Sequence, residues 1–190
     1  MRHNRLVIAF AFVVLPVAAE AQMSADTLLH AGQWGAEAAV SRIGSEAALL
    51  RFHSPTLAWR VGASFDVTHS STDTDITNFP SIDGTNTAIT ALLGLRSYRH
   101  SVSDHLRPVI GGGLLGNYRS APAGVRTWAA GLYAEAGAVY FVVPHVSLGA
   151  IGELDAVTGK QTQNVGVSKV KATSTSISGT LARLVLTAYF

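Results

Sequence analysis

Cysteine is absent from this 190-residue chain, which excludes a disulfide scaffold, a zinc site with thiolate ligands and catalysis by a cysteine nucleophile. Charged residues are also scarce: they make up 14% of the chain, against about 25% in an ordinary soluble domain. With 48% apolar residues, the composition is too apolar for a disordered chain. The formal net charge of +2 comes without a run of basic residues, so nucleic acid is not an expected partner.

A long apolar run stands near the N-terminus, at residues 6–17, and the mature chain has no second run of helical length. Arg2 and Arg5 precede it, and a cleavage site of the small-x-small type follows it. This order is typical of a secretory signal peptide. A helix of that length rises only about 18 Å, too little to cross a hydrocarbon core of roughly 30 Å. We therefore predict a cleaved signal peptide over 1–21 and one mature domain over 22–190.

Residues of alternating character recur along the mature chain and predict β-strands. In 57–67 the apolar residues occupy every second position, and small or charged residues occupy the positions between them. We call these two sets of positions the two parities of a strand. The segments 128–140 and 182–190 repeat the pattern. Because successive side chains of a strand point to opposite faces, this period indicates two-faced strands. The predicted strands are approximately 33–42, 46–53, 57–68, 87–98, 108–118, 128–141, 146–156 and 178–190.

The lengths of the strands and of their connections indicate a membrane barrel. Several strands reach the roughly 9–11 residues that a tilted transmembrane strand needs, beyond the five or six residues typical of globular strands. Short connections are predicted at 54–56, 99–107 and 142–145, and longer polar ones at 69–86, 119–127 and 157–177, with 43–45 as a short exception on the side of the long connections. Outer-membrane barrels have short periplasmic turns and longer extracellular loops. The predicted fold is all-β: an eight-stranded, antiparallel, up-and-down transmembrane β-barrel.

Aromatic residues on the apolar parity fall near strand ends and predict a girdle at the membrane boundary. A soluble sandwich or lipocalin would bury its apolar face, whereas an outer-membrane barrel turns that face to lipid. We expect Trp128 at the outer boundary and the other members at the periplasmic one. The predicted girdle comprises Trp34, Phe52, Trp59, Trp128 and Tyr140.

From Trp34 to Phe190 the chain resembles the small eight-stranded outer-membrane β-barrels, the class that includes outer-membrane proteins A and X. Its tail, SGTLARLVLTAYF, resembles the C-terminal assembly signal of such proteins, with Gly179 inside it and Phe190 as the terminal aromatic. Ala188 departs from the pattern, since the family often has a bulkier residue there. The resemblance implies an integral, porin-like protein of a Gram-negative cell envelope, located in the outer membrane.

The same resemblance implies which partners to expect. These are outer-membrane lipid, lipopolysaccharide and the barrel-assembly machinery, and we expect a monomer. The sequence identifies neither a ligand nor a physiological role, and it does not decide the oligomeric state.

Deleting Phe190 should reduce membrane insertion more than deleting Gln22 and Met23, because the terminal aromatic belongs to the proposed assembly signal. The amount of inserted, heat-modifiable barrel in the outer membrane measures this effect. Equal amounts from the two deletions would count against the signal.

Charged residues of the polar parity are assigned to the lumen: Glu37, Arg51, Arg60, Asp66, Arg96, Glu135, Glu153, Asp155 and Arg183. Eight strands leave an interior just wide enough for side chains to fill it. Unpaired charges there would cost several kcal/mol each, so we expect them to pair. We predict that Arg183 is the central cation of a cluster with Glu135, Glu153 and Glu37.

Catalysis is not expected, but one enzymatic alternative stays open. His145-Val146-Ser147 and Glu153 resemble the His-x-Ser pair and glutamate of the lipid A deacylases, which are eight-stranded outer-membrane enzymes. A base beside a hydroxyl nucleophile suits acyl hydrolysis. However, His145 lies in a predicted periplasmic turn, whereas lipid A occupies the outer leaflet. A narrow solute channel is a second alternative.

No cofactor or metal is expected. His69, Asp73 and Asp75 could offer ligands to a divalent cation, although a solvated loop accounts for them. Three lysines in the last long connection, Lys160, Lys169 and Lys171, could meet phosphates of lipopolysaccharide or pair with the acidic connection 69–86. We therefore expect a structural or surface-interaction role, carried by the connections 69–86, 119–127 and 157–177.

Overall fold

A computed structural model describes residues 28–41, 44–72, 82–100, 105–122, 124–165 and 168–190. The predicted signal peptide over 1–21 lies outside these residues. Within them, no helix has the length and apolar character needed to cross a membrane.

Eight antiparallel strands form one closed barrel in which each strand pairs with its neighbours in sequence and the last strand pairs with the first. This confirms the fold class predicted from the alternating pattern. The strands are β1 Trp34–Ser41, β2 Gly44–Ser54, β3 Leu57–Thr72, β4 Ile82–Tyr98, β5 Leu106–Ala121, β6 Val125–Val143, β7 Val146–Val165 and β8 Ser168–Tyr189.

The barrel wall places charge inside and apolar surface outside. Arg60 and Arg96 have no exposed surface, whereas Leu114 and Leu132 expose 59% and 61% of theirs. A soluble protein would show the opposite arrangement, because exposed leucines would face water. The outer surface suits lipid tails, and the lumen holds the polar side chains, as in outer-membrane barrels.

Aromatic residues mark the two boundaries of the apolar outer surface. Tyr140 and Trp128 are twelve residues apart on β6, about 40 Å along a strand and about 30 Å in height at a tilt near 40°. Tyr118 packs against Trp128 at the outer boundary, with the ring centroids 4.4 Å apart and the ring planes tilted by 47°. Trp34 and Trp59 are exposed at the periplasmic end. The spacing matches the thickness of a bilayer core.

The strands are longer than the sequence predicted, because the expected loops are largely β-structure. β7 and β8 have 20 and 22 residues, so the hairpin they form takes in most of 157–177. The described parts of 69–86, which are 69–72 and 82–86, belong to strands, and so does most of 119–127. Beyond the outer boundary both faces of a strand meet water, so the apolar–polar alternation that reveals a strand is lost there.

A β-bulge interrupts the pairing of β7 with β8. Ile151 lies opposite Arg183, but Glu153 lies opposite Thr180, so β8 contains one extra residue at this point. One extra residue reverses which parity faces outward. As a result Ile177 and Arg183 have the same parity, yet Ile177 is exposed and Arg183 is buried in the lumen.

Candidate functional site

Seven charged side chains meet in the middle of the lumen, one from every strand except β5. We call this group the lumen cluster. Its members are Glu37, Glu46, Arg60, Arg96, Glu135, Glu153 and Arg183. They lie on the inward parity of tilted strands, which brings them to a common level.

Arg96 joins the two most buried carboxylates of the lumen cluster. Its Nε donates to Glu135 Oε1 at 2.6 Å and its Nη2 to Glu135 Oε2 at 3.0 Å. The same guanidinium donates to Glu37, through Nη1 to Oε2 and through Nη2 to Oε1 at 3.2 Å. A planar guanidinium can satisfy two carboxylates in this way, which an ammonium group cannot. The central cation that joins Glu37 to Glu135 is therefore Arg96 and not Arg183, which the sequence predicted.

Arg183 holds the outer side of the lumen cluster. Its Nη2 lies 2.8 Å from Glu135 Oε2, and its Nη1 lies 2.8 Å from Glu46 Oε2 and from Glu153 Oε2. The structure thus brings Arg183 to Glu135 and Glu153, as expected. It does not bring Arg183 to Glu37, because Glu37 lies opposite Thr187 in the barrel register, four residues below Arg183.

Arg60 completes the lumen cluster from β3. Its Nε and Nη2 donate to Glu37 Oε1 at 3.2 and 3.1 Å, and its Nη2 also donates to Glu46. Glu46 was absent from the charges assigned to the lumen. Glu46 shares its face with Ala48 and Leu50, which are buried, but both faces of β2 carry apolar residues, so the sequence held no signal that placed Glu46 inside.

The prediction for β2 was wrong, because its two parities were exchanged. Phe52 is buried in the lumen and does not belong to the girdle. Arg51, assigned to the lumen, points outward and places its guanidinium carbon 4.7 Å from the centroid of the Trp34 ring. The adjacent leucines Leu49 and Leu50 give both parities of this strand an apolar residue, so alternation does not decide its facing.

Glycines on the inward parity make room for the lumen cluster. A Cβ at Gly111 would stand 2.6 Å from Glu135 Oε1, and one at Gly62 would stand 2.8 Å from Glu46 Oε1. A Cβ at Gly94 would collide with Tyr133 Oη. These positions explain why strands this long carry glycine in their middle, where it usually weakens a sheet.

Below the lumen cluster, toward the periplasm, four buried aromatic rings fill the lumen. We call them the aromatic floor: Phe52, Tyr98, Phe141 and Tyr189. Phe52 packs on the rings of Tyr98 and Tyr189 with centroids 5.2 and 5.9 Å apart. Phe141 stacks on Tyr189 at 5.3 Å. Contacts at these distances leave no room for water between the rings.

On the extracellular side of the lumen cluster lies a cavity of about 310 Å³. It ends at the lumen cluster and reaches the tip of the β1–β2 hairpin. Its polar lining includes Ser41, Glu46, Asp66, Arg119, Glu153 and Asp155.

The residues of the enzymatic alternative are not brought together. Ser147 Oγ lies 3.0 Å from the Tyr189 hydroxyl, and both residues are buried. Glu153 is six residues further along β7, about 20 Å away along the strand, and it pairs with Arg183. His145 lies in the turn between β6 and β7. A hydrolytic triad of these residues does not form.

The candidate cation ligands are only partly described. His69 Nδ1 lies 3.4 Å from Thr85 Oγ1, and Asp73 and Asp75 lie outside the described residues. Among those that are described, no group of three His, Asp or Glu is arranged to hold a metal ion.

The remaining predicted residues lie on the barrel surface. Trp34, Trp59, Trp128 and Tyr140 are exposed on the outer face. The backbones of Trp34 and Phe190 exchange two hydrogen bonds, of 2.9 and 3.0 Å, and the Phe190 side chain is exposed. Gly179 lies opposite Leu154, above the bulge.

Comparison with known proteins supports the fold. No protein-family model matches the sequence, and no curated protein sequence matches it. The crystal structure of the outer membrane protein OprG from Pseudomonas aeruginosa is similar, with a TM-score of 0.61 at 14% identity over 87% of this chain and 99% of that chain. This likeness confirms the fold of small outer-membrane barrels that the sequence resembles, and it agrees with the predicted location.

Two further barrels show weaker similarity. The N-terminal β-barrel domain of Pseudomonas aeruginosa OprF has a TM-score of 0.45 at 13% identity, covering 84% of this chain and 98% of that one. A major outer membrane protein from Thermus thermophilus has a TM-score of 0.49 at 15% identity, covering 85% of this chain and 100% of that one.

Proposed function

We propose that this eight-stranded barrel is an integral outer-membrane protein that neither conducts solutes nor catalyses a reaction, and that acts at the cell surface through its extracellular hairpins. The observation that carries the proposal is the obstruction of the lumen at two successive levels. The proposed role is either structural or an interaction of the hairpins with other molecules at the cell surface, while the barrel stays in the membrane.

The obstruction has a chemical and a steric part. The lumen cluster spans the barrel with mutually bonded charges, and a solute that passed would have to break several buried ion pairs. Breaking one such pair typically costs about 3–5 kcal/mol. The aromatic floor then blocks the periplasmic half with packed rings. This arrangement argues against the narrow channel.

The extracellular hairpins offer the interacting surface. The β7–β8 hairpin extends well beyond the outer boundary, and its lysines Lys160, Lys169 and Lys171 are exposed. Between residues 156 and 182 there is no acidic residue. A segment with lysines and no acidic residue attracts anionic groups through long-range electrostatics. The phosphates of lipopolysaccharide, which surround the barrel at this height, are the proposed contacts.

Purified protein inserted in planar bilayers should show no steady conductance, because the lumen cluster and the aromatic floor leave no continuous water path. Single-channel recording at increasing voltage measures this. Lipid A from cells with and without the protein should have the same mass, because His145, Ser147 and Glu153 are not brought together.

Stable, voltage-independent conductance would contradict the closed lumen. A loss of one acyl chain from lipid A would instead favour the enzymatic alternative.

A further inference from the structure

The first hairpin of the barrel is much shorter than its neighbours. β1 has 8 residues, whereas the flanking β8 and β3 have 22 and 16. Pairing of β1 with β8 reaches Val40 opposite Leu184, and pairing of β2 with β3 reaches Glu46 opposite Ser64. Above these pairs the wall has a gap between β8 and β3, which we call the notch.

Two strand edges border the notch. Residues 168–182 of β8 and residues 65–68 of β3 each pair with one strand and, within the described part of the chain, have no strand on the side that faces the notch. Each edge therefore presents backbone N–H and C=O groups that are ready to pair with another strand.

The notch begins inside the apolar band of the barrel. Trp34 and Ser41 are seven residues apart on β1, about 23 Å along the strand and about 18 Å in height at the usual tilt. The outer boundary at Trp128 lies about 30 Å above the periplasmic one. Open sheet edges do not occur in hydrocarbon, since each unsatisfied backbone group costs several kcal/mol. The two edges therefore require a partner.

We propose that this partner is a second copy of the chain, which fills the notch by pairing its β3 with β8 and its β8 with β3. β3 ascends from the periplasmic end and β8 descends to it, so the two edges run in opposite directions. A copy in the same membrane, rotated by 180° about the membrane normal, places each β8 antiparallel beside the other β3. This two-fold arrangement satisfies both edges at once.

The charges of the two edges differ in sign. Residues 168–182 of β8 contain two lysines and no acidic residue. Residues 65–68 of β3 contain one aspartate, Asp66, and neither lysine nor arginine. Each seam of the dimer joins one segment of each kind, whereas pairing of β8 with β8 would oppose lysines.

The outward face below the notch also suits a second copy. Ala36, Ala38 and Ala47 point outward on β1 and β2. Their short side chains allow two barrel walls to approach closely, and the exposed Val40 and Leu49 supply apolar contact. A free strand from another protein could satisfy one edge, but a second copy satisfies two.

Cysteine cross-linking tests the dimer cleanly, because the chain has no native cysteine. Val67 of β3 and Ile177 of β8 are both exposed on the outward face near the outer boundary. The double variant Val67→Cys/Ile177→Cys, treated with an oxidant or a short bis-maleimide in intact outer membranes, should give a band at twice the monomer mass. Lys169→Glu with Lys171→Glu in this background should lower its yield.

The single variants are the matched controls. Val67→Cys alone and Ile177→Cys alone should give no dimer, because like residues lie on opposite seams, whereas the two chains expressed together should. A pair on the far side of the barrel, Leu93→Cys/Leu132→Cys, should also give none. A folded double variant that stays monomeric overturns the proposal, and so does a cross-link to a protein of another mass. Neither result bears on the closed lumen.

Discussion

Replacing Arg96 with leucine should lower the free energy of unfolding by about 3–5 kcal/mol. Arg96 has no exposed surface and bonds to both Glu37 and Glu135, which are themselves buried. The leucine leaves two carboxylates with fewer cationic partners in a lumen that water enters poorly. The remaining charges then repel one another, and the repulsion adds to their lost hydrogen bonds.

Urea unfolding of the refolded protein in lipid vesicles, followed by tryptophan fluorescence, measures this loss. Arg183→Leu should lower the free energy of unfolding by less than Arg96→Leu. Arg183 borders the extracellular cavity, where water can solvate the carboxylates that lose this partner. Lys171→Leu, on an exposed hairpin, is the control and should unfold at the wild-type urea concentration. An Arg96→Leu barrel as stable as the Lys171→Leu barrel would falsify the central role of Arg96.

Phe52→Ala should destabilise the barrel by about 3–5 kcal/mol, since it removes a buried ring and leaves a cavity. Phe52 is 1% exposed and packs between Tyr98 and Tyr189. These rings hold their positions through the barrel wall, so they cannot collapse into the space. The same vesicle unfolding experiment reports the change.

Leu132→Ala is the control for this substitution, because Leu132 faces outward on β6 and its removal leaves no cavity. We expect its effect to be clearly smaller than that of Phe52→Ala. If the two substitutions lower the free energy of unfolding equally, Phe52 would lie on the lipid face, as the sequence predicted. Widening the floor with Phe52→Ala also tests whether the lumen cluster alone prevents conductance.

Much of the fold could be predicted because the membrane imposes a strict rule on the strands. Where one face meets lipid and the other meets the lumen, apolar and polar residues alternate, as in 57–67 and 128–140. The inward position of Glu135 and Arg183 follows from the same rule. Alternation fails in two places: on β2 both parities carry leucine, and beyond the outer boundary both faces meet water.

The partners within the lumen cluster could not be predicted from facing alone. Which arginine reaches which carboxylate depends on the register and tilt of strands far apart in sequence. Glu37 and Arg96 are separated by 59 residues, and their contact across the lumen follows from the register of β1 to β4. The extra residue of β8 is also invisible to the pattern, because the bulge reverses facing without a change in composition.

The hydrogen bonds between Trp34 and Phe190 have a consequence for the order of assembly. Every other seam of the barrel joins strands that follow each other in sequence. The β1–β8 seam alone joins strands with all the others between them, so its loop-closure entropy is the largest of the eight. This seam forms late, because its contacts offset the loop-closure entropy only after the other strands are in place. Until then the folding intermediate is an open sheet whose two outer strands have unpaired edges, and this species is the one most exposed to aggregation during folding.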